Sequence, residues 1–271
     1  MAGNAGNAGN AGNAGNAGNV GNAGSGGGWI FPDRVDLPFI TETGVSTNRT
    51  TVTEFPERNW TPDWYAWRLL AEFAINGGWS SITVTAPSAN TGAEIDTLVT
   101  MAKDERADAL GEIFAQNDEF LSYFMALLNV TPNSHPNTCR VMMTASLIAL
   151  QVAMHWKAYY KRPRPSQICP ALLPPIQVPG HASYPSGHAT QAHLVALCLK
   201  LVLPASVKPM ADDLTVLAGR IARNRQIAGL HYQSDTDAGV RLASDLFGIL
   251  DNKTSVPSFD DLVTAAKGEW P

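Results

Sequence analysis

Residues 138–161 read Thr138-Cys-Arg-Val-Met-Met-Thr-Ala-Ser-Leu-Ile-Ala-Leu-Gln-Val-Ala-Met-His-Trp-Lys157-Ala-Tyr-Tyr-Lys161. Apolar residues occupy every face that a helix of this length would present, so the segment predicts a helix buried all round. It is not a membrane span. The stretch between Arg140 and His155 holds 14 residues, and a span needs about 20. Pro163 and Pro165 follow and stop the helix, because proline lacks the N–H and biases the preceding residue away from the helical region.

Helical patterns lie on both sides of this segment. Thr61-Pro62-Asp63 is a helix start, with an N-cap residue, a proline at the first position and an early acid. Apolar residues continue at helical spacing to Ile75, and Asn76-Gly77-Gly78 ends the run. Residues 91–117, 118–130, 189–203, 211–229, 234–250 and 258–268 repeat the pattern, and Thr131 to Pro136 is a connector. Only residues 81–86 look like a strand. The class is all-α, a helical bundle. His193 and Lys200 interrupt the apolar run at 189–203, so no segment reads as transmembrane.

Residues 1–28 differ in composition from the rest. Gly recurs at every third position from Gly3 to Gly24, mostly as Ala-Gly-Asn, followed by Ser25-Gly-Gly-Gly28. Such a segment buries too little apolar surface to offset its ordering entropy. It reads as a flexible tail, with a repeat-mediated assembly device as the alternative. Residues 29–60 read as an irregular arm, and residues 29–271 as one domain. The chain begins without a basic n-region and an apolar h-region, so the expectation is no signal peptide and a cytoplasmic location. Cys139, Cys169 and Cys198 are far apart and odd in number, which predicts reduced, packed thiols.

The 271 residues carry a net charge of −5, which argues against a general nucleic-acid binder. That average conceals a one-sided stretch. From Phe120 to Ala211 there is no Asp or Glu, while Arg140, Lys157, Lys161, Arg162, Arg164, Lys200 and Lys208 give these 92 residues +7. The other 179 residues therefore carry −12. Either the stretch holds a site for something anionic, or it is a buried segment that excludes acids.

Three blocks allow chemistry at such a site. In Lys157-Ala-Tyr-Tyr-Lys161-Arg162-Pro163-Arg164-Pro165, Lys157 near a helix end and Arg164 just beyond it can hold several oxygens of one oxyanion. Complementing the helix dipole is the plainer role. In Pro185-Ser186-Gly187-His188, a helix begins whose free N–H groups bind anions. Gly187 admits close approach, the Ser186 hydroxyl can donate, and His188 can move a proton. An ordinary Ser N-cap followed by a surface His is the alternative. In Arg225 to Asp235, one helical turn sets His231 and Asp235 on one face. The carboxylate would fix the imidazole tautomer and strengthen the other nitrogen as a nucleophile or ligand, and Arg225 adds a third cation. A plain surface His–Asp pair is the alternative.

Other chemistries fit less well. His181, His188, His193 and His231 have no zinc spacing, and the surrounding cations would repel a metal ion. Ser186 lacks a GxSxG setting. Lys161-Arg162 is too short a basic run for nucleic acid.

Together the three blocks resemble the signature of the type 2 phosphatidic acid phosphatase (PAP2) and vanadium haloperoxidase superfamily. That signature is Lys-x6-Arg-Pro, then Pro-Ser-Gly-His, then Ser-Arg-x5-His-x3-Asp. Here it reads Lys157…Arg164-Pro165, Pro185-Ser186-Gly187-His188 and Arg225…His231…Asp235. Asn224 stands where the pattern has Ser. The resemblance spans about residues 138–245 and implies an α-helical bundle. It implies that Lys157, Arg164 and Arg225 hold the oxygens of phosphate or vanadate, and that Ser186 and the Gly187 N–H complete the cradle. It further implies that His231 bonds to the central atom, oriented by Asp235, with His188 as the acid–base residue.

The resemblance leaves two reactions open. Lys157-Ala-Tyr-Tyr and His231-Tyr-Gln-Ser-Asp-Thr-Asp look like soluble bacterial acid phosphatases, which need no cofactor. Ser183-Tyr-Pro-Ser-Gly-His-Ala-Thr-Gln191 looks like bromoperoxidases, which carry vanadate on the histidine equivalent to His231 and also a His at the place of His181. The partner is then a small phosphate ester in the first case, and hydrogen peroxide plus halide in the second. The expectation is phosphomonoester hydrolysis, with no nucleic acid, no membrane span and room for a homo-oligomer. A non-catalytic phosphate-binding or assembly protein is the third reading.

Overall fold

The computed structural model describes residues 40–41, 44–45, 54–207 and 209–271. The repeat tail and most of the arm before residue 54 lie outside the described residues. Ten α-helices are described: α1 Pro62–Asn76, α2 Gly92–Asp104, α3 Arg106–Asp118, α4 Leu121–Leu128, α5 Pro136–Tyr160, α6 Pro165–Ile168, α7 Gly187–Val202, α8 Met210–Ile227, α9 Gln233–Leu250 and α10 Pro257–Lys267. The protein is all-helical apart from a two-rung antiparallel ladder, β1 Ile40–Thr41 with β2 Gly44–Val45, pairing Ile40 with Val45.

The bundle is organised on α5 and α7. Helix α5 buries most of its residues between Thr138 and Lys157, with His155 exposed, and packs against α7, α1 and α10. Helix α7 packs in turn on α9 and α8. Ile148, Val152, Leu194 and Leu199 have no exposed surface. Each such side chain contributes roughly 1.5–3 kcal/mol by leaving water, so this contact outweighs the surface ion pairs. No helix among the described residues is long and apolar enough to cross a membrane.

A smaller apolar cluster lies beside the main core. It joins Leu98 and Met101 of α2, Ile113 of α3, Leu172, and the Ile227 to Tyr232 turn. Arg106 locks it, donating from Nε to Ile227 O at 3.0 Å and from Nη1 to Leu172 O at 2.8 Å. Two carbonyls that would otherwise lack donors, one of them in the last turn of α8, are thereby satisfied.

Two sequence expectations need correction. Residues 91–117 form two helices, not one. Glu105 ends α2 by donating to Met101 O and starts α3 by accepting from Ala109, while its carboxylate takes both Arg223 Nε and Nη2. No Gly or Pro announces that break. Residues 81–86, expected as a strand, form none: Ser81 closes a 3-10 turn over Trp79–Ser81, and residues 82–86 have no regular secondary structure. Their carbonyls instead accept from side chains: Val84 O from the Tyr160 hydroxyl and Thr85 O from the Tyr184 hydroxyl. At the start of α1, Thr61 occupies the N-cap position, but its side chain makes no capping bond.

Candidate active site

The site lies where the C-terminal end of α5, the N-terminus of α7 and the α8–α9 turn meet. Helix α5 stops at Tyr160, Lys161 turns the chain in the left-handed region (φ 52°), and Arg164 becomes the N-cap of α6. Gly229 (φ 76°) reverses the chain after α8 and delivers His231. Gly239 lets α9 lie against the start of α7. A Cβ there would stand 2.7 Å from Ser186 O and 3.0 Å from Ala189 Cβ. That approach lets Ser186 N–H donate to Asp235 O at 2.9 Å.

Lys157, Arg164, His181, Gly187, His188, Arg225 and His231 line one cavity, with Leu150, Pro179 and Gln191 completing its wall. Seven of the nine candidate residues therefore converge. The two others stand just behind. Asp235 is fully buried, and its Oδ2 lies 3.1 Å from His231 Nδ1. Ser186 is also fully buried, and its Oγ caps α7 by accepting the Ala189 N–H at 3.4 Å. Its hydroxyl is not among the groups lining the cavity. Gly187 does: a Cβ on it would sit 3.8 Å from Lys157 Cε, and its absence leaves that volume to a ligand.

The hydrogen bonds assign the His231 tautomer. Nδ1 faces the carboxylate and carries the proton; Nε2 lies 3.2 Å from Arg164 Nη1 and accepts from it. The Asp235 carboxylate is itself held on all sides. Oδ2 also accepts from the Ser183 hydroxyl and from Tyr232 N at 3.1 Å, while Oδ1 takes Arg162 Nη1 at 2.6 Å. Arg162 bridges on to Glu94 at 3.0 Å and lies over the Tyr232 ring, 3.9 Å from its centroid.

Each cation has a distinct environment. Lys157 Nζ donates to the carbonyls of Ala182 at 2.9 Å and Ser183 at 2.7 Å. Arg164 spans the site, donating to His181 O and Leu230 O, both at 3.0 Å. His181 Nδ1 sits 3.1 Å from Arg164 Nη2. Arg225 differs. It is 2% exposed, and Nη2 donates to Asn117 Oδ1 at 3.2 Å, while Nε and Nη1 meet no acceptor among the described residues.

The electrostatics are those of a site short of negative charge. Burial, then Arg164, holds Lys157 well below its ordinary value, with Asp235 opposing. Burial, then Arg164, also lowers Arg225. His188 is lowered by burial and then by Arg225. His231 is lowered by burial and then by Arg164, Lys157 and Arg225. Burial and the same cations push His181 down to about 4. Both imidazoles that would do chemistry are thus neutral at neutral pH.

The sequence reading missed several supporting residues. Arg162 stood in a basic run too short for nucleic acid and was given no role at the site; it is buried and committed to Asp235 and Glu94. Ser183, Glu94 and Asn117 were not singled out at all. Asn224 replaces the pattern's Ser and donates to Glu112 Oε2 and Gln116 Oε1, both at 2.9 Å. It thereby ties α8 to α3, the helix that carries Asn117 to Arg225. Phe120, beyond α3, packs its ring 5.4 Å from that of His188. Among the described residues, no group of three or more His, Cys, Asp or Glu side chains is placed to hold a metal ion.

Part of the sequence is similar to known proteins. The sequence model of the PAP2 superfamily matches residues 139–247. Decaprenylphosphoryl-5-phosphoribose phosphatase from two strains of Mycobacterium tuberculosis, CDC 1551 / Oshkosh and H37Rv, is 32% identical over 107 residues. The match covers 40% of this chain and 56% of each relative, so the chain spans little more than half the length of either. The solved transmembrane PAP2-type phosphatidylglycerolphosphate phosphatase from Bacillus subtilis aligns over 74% of this chain and 94% of its own, at 17% identity and a TM-score of 0.35. That likeness is too weak to bear on the site. The PAP2 superfamily match lies in the segment that holds all three motif blocks.

Proposed function

We propose that this chain hydrolyses phosphomonoesters through a phosphohistidine intermediate. One observation carries the reading. Arg225 is a buried guanidinium with two donors unsatisfied, in the cavity that Lys157, Arg164, His188 and His231 share. An unpaired buried charge is costly, and a phosphoryl group supplies the missing acceptors and charge in one step. The named relatives are phosphatases, which supports the same reading.

The residues take these parts. Oxygens of the phosphoryl group accept from Arg225 Nε and Nη1, from Lys157 and from Arg164. Taking the Arg164 donor frees the Nε2 lone pair of His231, which attacks phosphorus in line. The P–O bond to the leaving group breaks, and His188 protonates the departing oxygen. Water then attacks the phosphohistidine, giving its proton to His188; the N–P bond breaks and phosphate leaves. Asp235 stabilises the imidazolium character of His231 throughout. Three cations arranged before the reaction lower the barrier without reorganising. The bound dianion also raises the His188 basicity that burial and Arg225 depress, so substrate itself makes the general acid available.

The same donors suit vanadate, an anion of like shape, with His231 as its bonding residue and His181 at the pocket's edge. A haloperoxidase would use that group to activate peroxide toward halide. The test is one purified sample assayed twice: phosphate-ester hydrolysis with and without vanadate, and peroxide-dependent bromination after vanadate loading. Hydrolysis inhibited by vanadate, with no bromination, is the expected result. Bromination alone replaces the proposal with the haloperoxidase reading, and failure to bind vanadate at all removes both. Residues 1–28 are proposed to be an appendage. Deleting them leaves hydrolysis intact; loss of assembly on deletion favours a structural role instead.

A further inference from the structure

Outside the cavity runs a groove of about 690 Å³. The two are continuous, because Lys157, Arg164, Pro179 and His181 line both. Met154, Ala158, Pro163 and Val178 give the groove apolar walls, and no Asp or Glu lines it. With a phosphoryl group on Arg225, the organic part of an ester has this groove beside it.

Lys161 stands in the groove wall, and three facts set it apart. It is exposed, while its neighbours Lys157, Arg162 and Arg164 are buried and bonded. Its side chain has no hydrogen bond or ion pair among the described residues. It also holds φ 52° at the end of α5, a conformation that glycine adopts more easily. An exposed lysine that is unpaired among the described residues, over an acid-free groove, has its ammonium available to a ligand.

We infer that the groove is the leaving-group subsite and that Lys161 recognises a second anionic group. The preferred substrate is then a phosphomonoester whose organic part carries another negative charge, a carboxylate or a second phosphate, across a short apolar spacer. The inference rests on the phosphatase reading for the reaction, but the subsite can be tested without turnover. A cation at a helix C-terminus also complements the helix dipole; that role would move stability and leave selectivity alone.

The probes are benzylphosphonate and 4-carboxybenzylphosphonate, measured by calorimetry on the full chain. The wild type is expected to bind the carboxylated probe more tightly. In Lys161→Gly, which suits the left-handed backbone, the ratio of the two affinities falls about three- to fivefold, the size of one exposed ion pair. Lys161→Arg restores it. p-Xylylenediphosphonate separates the two sources: the tighter of the two doubly charged probes names the second group. An unchanged ratio in Lys161→Gly, or no preference in the wild type, overturns the subsite. Benzyl phosphate and 4-carboxybenzyl phosphate are assayed in parallel. If neither is hydrolysed while the phosphonates still discriminate, the reaction is overturned and the subsite stands. If neither phosphonate binds, both are overturned.

Discussion

Arg162 Nη1 lies 2.6 Å from Asp235 Oδ1, while Oδ2 of the same carboxylate faces His231 Nδ1 at 3.1 Å. The arginine therefore fixes the plane of the carboxylate that fixes the histidine. Both partners are buried, and Glu94 takes the other arm of Arg162. Removing one member of a buried ion pair leaves the other uncompensated and costs about 3–5 kcal/mol. Arg162→Gln is expected to lower the urea midpoint by a corresponding amount and to reduce kcat. A midpoint within error of the wild type would show that water replaces the guanidinium without penalty.

His231 has one nitrogen held by Asp235 and the other by Arg164. His231→Ala is expected to abolish hydrolysis; turnover that persists refutes its assignment as nucleophile. Asp235→Asn keeps the shape but loses the negative charge that favours the protonated Nδ1. It should lower kcat about 10- to 100-fold, with a smaller change in KM, as initial rates over a substrate series will show.

How much of this was legible in the sequence depends on the range of each interaction. The long helix α5 and the pairing of His231 with Asp235 follow from local periodicity, which a single chain displays. Lys157 and Arg164 are joined by their spacing at a helix end, but the arrival of Arg225 beside them follows only from the motif resemblance, since no spacing joins it to that end. Arg162 is the clearest loss. Its acids, Glu94 and Asp235, lie 68 and 73 residues away, and only the fold brings them to it. Ser186 shows what its local sequence allowed, an N-cap whose Oγ accepts the Ala189 N–H. Glu105 was illegible for a different reason, because its helix break is made by side-chain partners and not by a breaking residue.

Arg225 predicts that the fold is stabilised by its own ligand. Orthophosphate should raise the melting temperature, with the gain approaching about 2.7 kcal/mol at a hundred times Kd. Arg225→Gln removes the charge but keeps an amide donor, a net loss of about one charged hydrogen bond, worth about 1.5–3 kcal/mol. Its phosphate affinity should fall about 10- to 100-fold. Thermal shift against phosphate concentration measures both. An equal shift in wild type and variant would place the anion elsewhere.

Asn224 predicts a departure from the common pattern. Its amide donates to both Glu112 and Gln116, and Gln116 is 1% exposed. Asn224→Ser restores the pattern's residue but shortens the side chain and leaves a buried acceptor unpaired. The cost of such a group is about 1–3 kcal/mol. The variant should unfold at lower urea. It should also hold Asn117 less firmly against Arg225, which a raised KM for phosphate esters would register. Unchanged stability would mean that α3 is secured by its apolar contacts alone.

The histidines set the pH dependence, and its sign can be worked out. His188 and His231 are held neutral in the fold by burial and by the neighbouring cations, and His181 is pushed down to about 4 by the same causes. Once unfolded, each returns to about 6.5. Below about 6.5 the unfolded chain therefore binds protons that the native chain does not, and stability falls as the pH drops. The loss can reach about 1.4 kcal/mol per pH unit for each of His188 and His231. For His181 it ends near 4, where the native ring also protonates. Bound phosphate opposes this, because an anion beside the imidazoles favours their charged forms. Urea midpoints between about pH 8 and pH 5 should thus decline on acidification, and decline less with saturating orthophosphate. Matching slopes with and without phosphate would separate the histidines from the anion site, since a ligand that touches neither imidazole has no means of changing their proton uptake.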